Sequence, residues 1–577
     1  MISSKGPFFI LFALFFGSVI HSAAQERCGT VAYEKLKNQL HPNRETTDQF
    51  EQWMKVKLGQ LKLRKLGAGD RSQSTVYTIP VVVHVIHNGE FIGTGTNVSD
   101  AQILSQIDVI NNDYPRLNAD TVNTPGEFKS SAGTIDVHFV LAKQDPEGLP
   151  TNGIVRAKGT KTGWTLADNS TFKALSYWPA ENYLNIWVVK FVDPSGIIGY
   201  AQLPISSLPG LENASDDRLT DGVAIDYRAF GSGNFPNLYS QFNKGRTATH
   251  EIGHIPGLRH IWGDVNVCTG TDYVNDTPPQ DASTRGCPTQ PQAPCSVDKM
   301  FQNYMDYTDD PCMNIFTKDQ IDRMVTVLGN SPRRASLLVS PGATDPVSVA
   351  NDLGVRSIVA PTMTACPAAI APAVQIRNYG NNTVSSARIQ LVVNGVTTET
   401  KDFSLSLAYK DTAVTFFSPL TLAPATTNVF RFHILLTNGS TDGKVSNDTL
   451  SQAVVVAARA AVPLIEEFNS LPATWSVVNP DRLTTWQNGT APYLSATNKA
   501  MYMDFYDYET QGEQDQLVTP VLDLSNDTAA VLKFDRSYAT LSGGDLDQLR
   551  VLVSTGCDFS HAVEIFNKSG TALATAS

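Results

Sequence analysis

Apolar positions change their spacing along the chain and divide it into regions of different kind. Tyr77 to His87 (YTIPVVVHVIH) is a run rich in β-branched residues and predicts a strand. Ser99-Asp100-Ala101-Gln102 has the form of a capping box, and Ile103, Ile107 and Ile110 then recur at helical spacing. Further strands are predicted at Ile135 to Leu141, Leu184 to Phe191, Ile197 to Leu203 and Val223 to Tyr227. A helix carrying His250 and His254 is predicted to begin near Phe242, and another to run from Thr317, as N-cap, to Leu328. Strands and helices interleave in this way over residues 76–338, which predicts an α/β (α+β) domain.

Ser340-Pro341-Gly342-Ala343 marks a linker, set at 339–349. Beyond it the helical spacing is lost. Short β-runs such as Val374 to Ile376 and Ile389 to Val393 are separated by turns, Asn378-Tyr379-Gly380 and Asn394-Gly395. That spacing predicts a β-sandwich over 350–460, similar to immunoglobulin-like adhesion modules. Residues 461–577 are again β-rich, with runs at Leu517 to Leu524, Val531 to Phe534 and Leu549 to Ser554. They resemble a jelly-roll adhesin module, and because Ser577 follows a strand and a turn so closely, this domain is expected to be truncated.

The first 24 residues have the pattern of a signal peptide: Lys5, an apolar run from Phe8 to Ile20, and small residues Ser22-Ala23-Ala24. That run is short for a transmembrane span, and no later segment reaches about 18 apolar residues. Gln25-Glu26-Arg27 before Cys28 lacks the small apolar residues of a lipid-attachment box. The expectation is a soluble protein that is secreted, extracellular or cell-surface associated. A chain of 577 residues has room for about three or four domains. Its net charge of −12 argues against nucleic acid as a partner, since the acidic body provides no basic stripe for phosphates. Residues 25–75 depart from this balance, with ten Lys/Arg against six Asp/Glu between Glu26 and Arg71. Leu58 to Leu66 is basic, and Gly67-Ala68-Gly69-Asp70 reads as an exposed linker. A basic segment ahead of an acidic body is expected to be a docked pro-segment, removed on activation.

The strongest chemistry lies in His250-Glu251-Ile252-Gly253-His254-Ile255-Pro256-Gly257-Leu258-Arg259-His260, which reads H-E-x-x-H-x-x-G-x-x-H. Residues four apart share a helix face, so His250 and His254 present two imidazoles together. The glycine permits a sharp turn, and His260 then arrives from outside the helix. Three neutral imidazoles hold Zn2+ and leave a position for water, with Glu251 placed as general base. His84 and His87 also tempt as a metal pair, but three apart on a strand they face opposite sides and are expected to be structural. The seven cysteines include Cys268, Cys287, Cys295 and Cys312 within 45 residues, without any C-x-x-C pair. In an exported chain two disulfides are expected there rather than a second metal site.

The run Leu258-Arg259-His260-Ile261-Trp262-Gly263-Asp264 and the block Asn303 to Thr317 (NYMDYTDDPCMNIFT) resemble the pappalysin family of metzincin zinc metalloproteases, in its ulilysin-like branch. The resemblance covers about residues 76–335. It implies a Met-turn with Met305 beneath the metal ligands, and Tyr307 near the metal as a donor to the oxyanion. It implies that Asp310 lines the pocket for the side chain just after the scissile bond, so that Arg or Lys is preferred there. It further implies the crossed disulfides Cys268–Cys295 and Cys287–Cys312, other pairings being open on sequence alone. The loop Gly270 to Thr277 resembles the family's Ca2+ loop, with Asp264, Asp272, Asp276 and Thr277 as candidate ligands. Cys28 is a candidate zymogen switch, a thiolate reaching the fourth zinc position, with a disulfide to Cys366 or Cys557 or a free thiol as alternatives. One residue departs from the family. Pro256 lacks an N–H and disturbs the last turn of the helix, where a bulky apolar residue is usual.

The expected activity is zinc-dependent hydrolysis of peptide bonds in protein or peptide substrates. The C-terminal β-domains are candidates for glycan or cell-surface contact. The alternative is an adhesin whose protease domain is impaired, and retention of Glu251 weighs against it.

Overall fold

Strands that are apolar on both faces and helices that are apolar on one stripe can bury themselves only against each other, and residues 76–338 do so. The computed structural model describes residues 27–40, 43–68, 76–209, 211, 215–366, 369–423, 426–479, 484–490, 499–505, 514–527, 529–539, 547–556, 559 and 562–575. The expected signal peptide lies outside the described residues, as do residues 69–75, with the end of the expected linker and Arg71, and Cys557. The chain divides into two units, Met1–Pro346 and Val347–Ser577.

The first unit opens with α1 (Thr30–Leu40) and α2 (Thr47–Ala68). The basic stretch continues as helix through Ala68, so Gly67 and Ala68 extend α2 where the sequence suggests a linker. Phe50, Trp53 and Met54 of α2 pack with Val327, which gives the helix an apolar anchor. The elements β1 (Tyr77–His87), α3 (Asp100–Asp113), β2 (Val137–Leu141), β3 (Ile154–Lys158), α4 (Asn169–Ala174), β4 (Leu184–Val189), β5 (Gly199–Ala201) and β6 (Val223–Asp226) follow. The sheet runs β2-β1-β4-β6-β5, with β3 also pairing β1. All its pairings are parallel except β5 with β6, so β5 is an antiparallel edge. β4 is buried at every position, as a strand covered on both faces must be. The strand expected at Ile197 to Leu203 is confined to the three residues of β5.

Ser99 caps α3 by accepting from the Gln102 N–H, and Ile103, Ile107 and Ile110 enter the main core with Val81, Val83, Ile186 and Ile225. Each such side chain, fully buried, contributes about 1.5–3 kcal/mol. The helix α5 (Arg246–His254) begins four residues later than Phe242. The cause is Gly245, whose φ of +74° resets the chain direction immediately before the first turn. The helix α6 (Lys318–Asn330) is closed at its start by a capping box between Thr317 and Gln320. His84 is fully buried and bonded to Ser176 Oγ at 2.6 Å and Asn185 Oδ1 at 2.8 Å, a structural use of the side chain.

In the second unit β7 (Leu353–Ala360), β8 (Thr364–Ala365), β9 (Ala369–Ile370), β10 (Ala373–Asn378), β11 (Val384–Val393), β12 (Val396–Leu407), β13 (Thr412–Phe416), β14 (Leu420–Thr421), β15 (Thr427–Thr437) and β16 (Thr449–Val456) follow in order. One sheet is β13-β10-β7 and another is β12-β11-β15-β16-β8. Val374 and Ile376 from the first and Ile389, Phe430, Phe432 and Val454 from the second share one core. Beyond β16 the described strands pair two by two, Gln548–Val553 with Val563–Ser569 being the longest pair. No strand forms at Val531 to Phe534: Val531 and Leu532 are exposed, and Phe534 rests on the ring of Phe566 at 5.3 Å between centroids. Among the described residues no helix is long and apolar enough to cross a membrane.

Candidate active site

Every residue of α5 is buried, so the helix that carries His250, Glu251 and His254 is held from all sides. Arg246 anchors its start through Asp113 at 3.0 Å, Asp120 at 3.2 Å and the Met313 carbonyl at 2.6 Å. Helical spacing then puts His250 and His254 on one face. Ile255 keeps helical dihedrals but is no longer part of α5. Pro256 therefore falls in the turn after the helix and costs no internal hydrogen bond of it. Gly257 makes the turn at φ +88°, a conformation that favours glycine, and a Cβ there would stand 3.0 Å from Val327 Cγ2.

The turn that delivers His260 is held by two buried arginines. Arg334 Nε donates to the Ile255 carbonyl at 2.9 Å, and Arg323 Nε donates to the Gly257 carbonyl at 2.6 Å. Each is balanced by a carboxylate, Arg334 by Asp221 and Arg323 by Glu51 of α2. Leu258 N–H returns to the Gly253 carbonyl at 3.2 Å.

His250, His254 and His260 are each 1% exposed. Their Nδ1 atoms donate to fixed acceptors: Tyr304 O at 2.7 Å, Leu258 O at 2.8 Å and Asp264 Oδ1 at 2.5 Å. Committing Nδ1 as the donor leaves the Nε2 lone pair free for a metal. Nε2 of His250 and of His260 are buried without a hydrogen-bond partner among the described residues. Cys28 Sγ lies 3.5 Å from His254 Nε2, and the ligand atoms of Cys28 and the three histidines all lie within 4.8 Å of one another. Burial, reinforced by the neighbouring imidazoles, holds His250 well below the usual histidine range and takes His254 down to about 3, so both are neutral at pH 7. Three imidazole nitrogens and a thiol in a tight buried cluster fit zinc, and two of those nitrogens have no hydrogen-bond partner among the described residues.

Glu251 is fully buried with its carboxylate on the same centre. Cys28 Sγ donates to its Oε2 at 3.2 Å, and Oε1 has no partner. Burial pushes Glu251 up to about 8 and raises Cys28 well above the usual thiol range, the latter with help from Glu251. Met305 is fully buried beneath α5: a Cβ on Gly253 would lie 2.7 Å from its sulfur. Tyr307 packs against the His260 and Trp262 rings, and its hydroxyl donates to the Cys28 carbonyl at 3.2 Å.

Asp310 is fully buried. Its Oδ2 accepts from the N–H groups of Lys244 and Arg246, and its Oδ1 pairs with Arg27 at 3.2 Å. Burial raises the Asp310 carboxyl, and Arg27 is the strongest opposing influence. Arg27 also donates to the Thr308 carbonyl and covers the Phe242 ring. The N-terminal segment thus meets β5 at a single bridge: Cys28 bridges Gly199 in parallel, Gly29 N–H donates to the Gly199 carbonyl at 2.8 Å, and Ile198 N–H donates to the Arg27 carbonyl at 2.9 Å. Sequence reasoning does not single out Arg27, Glu51, Asp221, Arg323 or Arg334. Only Arg27 stands beside a candidate residue, and ion pairs across such separations leave no local pattern.

Cys268 is bonded to Cys295 and Cys287 to Cys312, while Cys28 is a free, buried thiol. In the loop after His260, Asp272 Oδ1 accepts from the Thr277 hydroxyl at 3.1 Å and from Val274 N–H at 3.1 Å, while Asp272 Oδ2 and Asp276 Oδ1 are buried without partners. Burial takes Asp272 up to about 7 and also raises Asp276. Asp264 is engaged with His260, which outweighs burial and keeps its carboxyl below the usual range.

Known proteins match this part of the chain. The pattern of the M43 peptidases, described as pregnancy-associated plasma protein-A, matches residues 168–329. An extracellular metalloprotease of Arthroderma otae is 31% identical over 249 residues, 43% of this chain and 76% of that protein. One from Verticillium alfalfae is 32% identical over 250 residues, 43% of this chain and 75% of that protein. Among solved structures, mature mirolysin of Tannerella forsythia with a cleaved peptide is 42% identical and covers 46% of this chain and 97% of its own, at a TM-score of 0.42. A promirolysin variant is 38% identical and covers 54% of this chain and 97% of its own, at a TM-score of 0.45. With a buried histidine cluster suited to a metal and relatives of this identity matched over three quarters of their length, the chain belongs to the pappalysin family and is a metalloprotease.

Proposed function

We propose that the chain is a secreted zinc endopeptidase kept latent by its own N-terminal segment. The observation that carries this is the meeting of Cys28 with three buried imidazoles, two of whose nitrogens have no other partner. His250, His254 and His260 would hold Zn2+ through Nε2. When bound there, zinc supplies Lewis acidity, lowering the pKa of a water and polarising the scissile carbonyl. Glu251 takes the proton of the attacking water and returns it to the leaving amine nitrogen. Tyr307 turns its hydroxyl from the Cys28 carbonyl to the developing oxyanion, and Met305 forms the floor beneath the histidines.

Asp310 selects Arg or Lys just after the scissile bond, a preference supported by Arg27 standing on that carboxylate in the latent chain. Cys28 would offer its sulfur as a further ligand until the segment is cut away. Cleavage before Lys62, Arg64, Lys65 or Arg71 would satisfy the same basic preference. Asp272, with Thr277 bonded to it, and Asp276 are suited to Ca2+ through their unpartnered buried oxygens, and Asp264, on the His260 imidazole, is a further candidate ligand. The β-rich domains are candidates for binding substrate, glycan or the cell surface. The relatives' description as extracellular metalloproteases supports export.

The test is a cleavage-site profile of the activated protein, with zinc measured in the same sample and a chelator arm. The expected result is one bound zinc, cuts before Arg or Lys, loss of activity with the chelator, and loss with zinc retained in Glu251→Ala. Zinc-loaded protein that cuts no peptide after removal of residues 25–75 would favour the adhesin alternative.

A further inference from the structure

We propose that the second unit carries a divalent-cation site of the calcium class, built on Asp448, Asp352 and Asn447 at one end of its two sheets. Asp352 immediately precedes β7, and Asp448 immediately precedes β16. A third acid, Asp442, lies in the loop between β15 and β16. Asp352, Asp448 and Asp442 are 3%, 2% and 6% exposed in that order. Three carboxylates taken out of water together repel one another and need compensation.

Their hydrogen bonds separate them into two kinds. Asp442 is fully used: its Oδ2 accepts from Leu353 N–H at 2.7 Å and the Thr437 hydroxyl at 2.8 Å, and its Oδ1 from Lys444 N–H at 2.8 Å. It is a structural acid that pins the loop. Asp448 is the opposite case. Its Oδ1 is buried with no hydrogen-bond partner among the described residues. Next to it, Asn447 donates through Nδ2 to Asp352 Oδ1 at 2.8 Å, while its own Oδ1 is also buried without a partner. Two buried oxygens without a hydrogen-bond partner among the described residues therefore sit on adjacent residues, one of which is bonded to the Asp352 carboxylate.

Burial, then the charges of Asp442 and Asp352, push Asp448 up to about 7. Lys444 offsets part of the charge at Asp352. Neither imidazole nor thiol is among the donors. Two carboxylates and an amide oxygen are hard donors, which suits Ca2+ and does not suit zinc or copper. Asp442 then contributes charge at longer range without being a ligand. The cation would neutralise the acids and fix the start of β7 to the start of β16. This site is separate from the histidine cluster and from the Asp272 loop, and does not depend on the proposed catalytic mechanism.

The full-length chain, freed of calcium and reloaded with zinc, is titrated with Ca2+ by calorimetry, as wild type, Asp448→Asn, Asp352→Asn and Asp272→Asn. The expected result is that Asp448→Asn and Asp352→Asn each lose one binding event, or weaken it by at least about tenfold, while Asp272→Asn retains it. Calcium should raise the melting temperature of the wild type more than that of Asp448→Asn. Without calcium Asp448→Asn should melt at or above the wild type, because a repulsive charge has gone. Cleavage of a short peptide by the activated variant remains at the wild-type rate, and an unchanged β-sheet circular-dichroism spectrum of the variant reports that its second unit has folded. Wild-type calcium stoichiometry and affinity in folded Asp448→Asn, or in folded Asp352→Asn should the first variant not fold, would overturn the site.

Discussion

Arg334 and Asp221 form a buried ion pair, 2.8 Å between Nη2 and Oδ1, and the same guanidinium holds the Ile255 carbonyl in the turn leading to His260. Asp221 thereby bears on the histidine cluster, although it belongs to no motif and reaches the cluster only through that turn. Burial alone would raise the Asp221 carboxyl, but Arg334 and Arg333 outweigh it and hold it at about 2. A carboxyl depressed in the folded state stabilises the fold above its unfolded value near 4 and loses that contribution as the pH falls toward 2. The loss is on the order of 2–3 kcal/mol. Asp221→Asn should therefore flatten the dependence of stability on pH between about 5 and 2. It should also lower stability at pH 7 by about 3–5 kcal/mol, because Arg334 is left buried and unpaired. Denaturant unfolding at stepped pH measures both.

The N-terminal segment is held at two separate points of the site, by Cys28 at the histidines and by Arg27 at Asp310. Removing either contact should shorten the lag before activity appears. Cys28→Ala removes the thiol and should activate faster. Arg27→Met leaves Asp310 buried and unpaired, which loosens the segment by about 3 kcal/mol, and its effect on the lag should be at least as large. A time course of peptide cleavage from freshly purified protein distinguishes these from an unchanged lag, which would count against latency through this segment.

The features legible in the sequence are those that short-range geometry dictates. His250 and His254 share a face because a helix repeats every 3.6 residues, and Thr317 with Gln320 closes α6 because the two side chains reach each other's backbone. Arg27 and Asp310 are 283 residues apart, and Arg334 and Asp221 are 113 apart, so no spacing rule connects them. The apolar pattern places the start of α5 too early, because nothing in it marks Gly245 as the residue that turns the chain. Pro256 disrupts only a helix that includes it. The helix ends before it, and Arg334 and Arg323 take the carbonyls of the turn.

On the proposed basic preference, the charge of Asp310 should matter more for Arg and Lys substrates than for others. Asp310→Asn keeps the shape and removes the charge. The expected result is a fall of about 2–3 kcal/mol, roughly a hundredfold, in kcat/KM for peptides with Arg or Lys after the scissile bond, and a much smaller change for an apolar residue there. Matched peptides differing at that one position, assayed after activation, measure the ratio. An equal fall for both would show that Asp310 supports the fold rather than the preference.

Gly257 is the residue on which delivery of His260 turns. At φ +88° a side chain is strained by about 1–2 kcal/mol, and the new Cβ would also press on Val327 of α6. Gly257→Ala should therefore lower the melting temperature by several degrees and displace His260 relative to His250 and His254. Displacement costs metal affinity, so zinc should be lost to a chelator at least about tenfold more readily than from the wild type. Val327→Ala gives the added methyl room without relieving the backbone. If the double variant recovers the melting temperature but not the zinc affinity, the strained turn sets the position of His260; if it recovers both, crowding against α6 does.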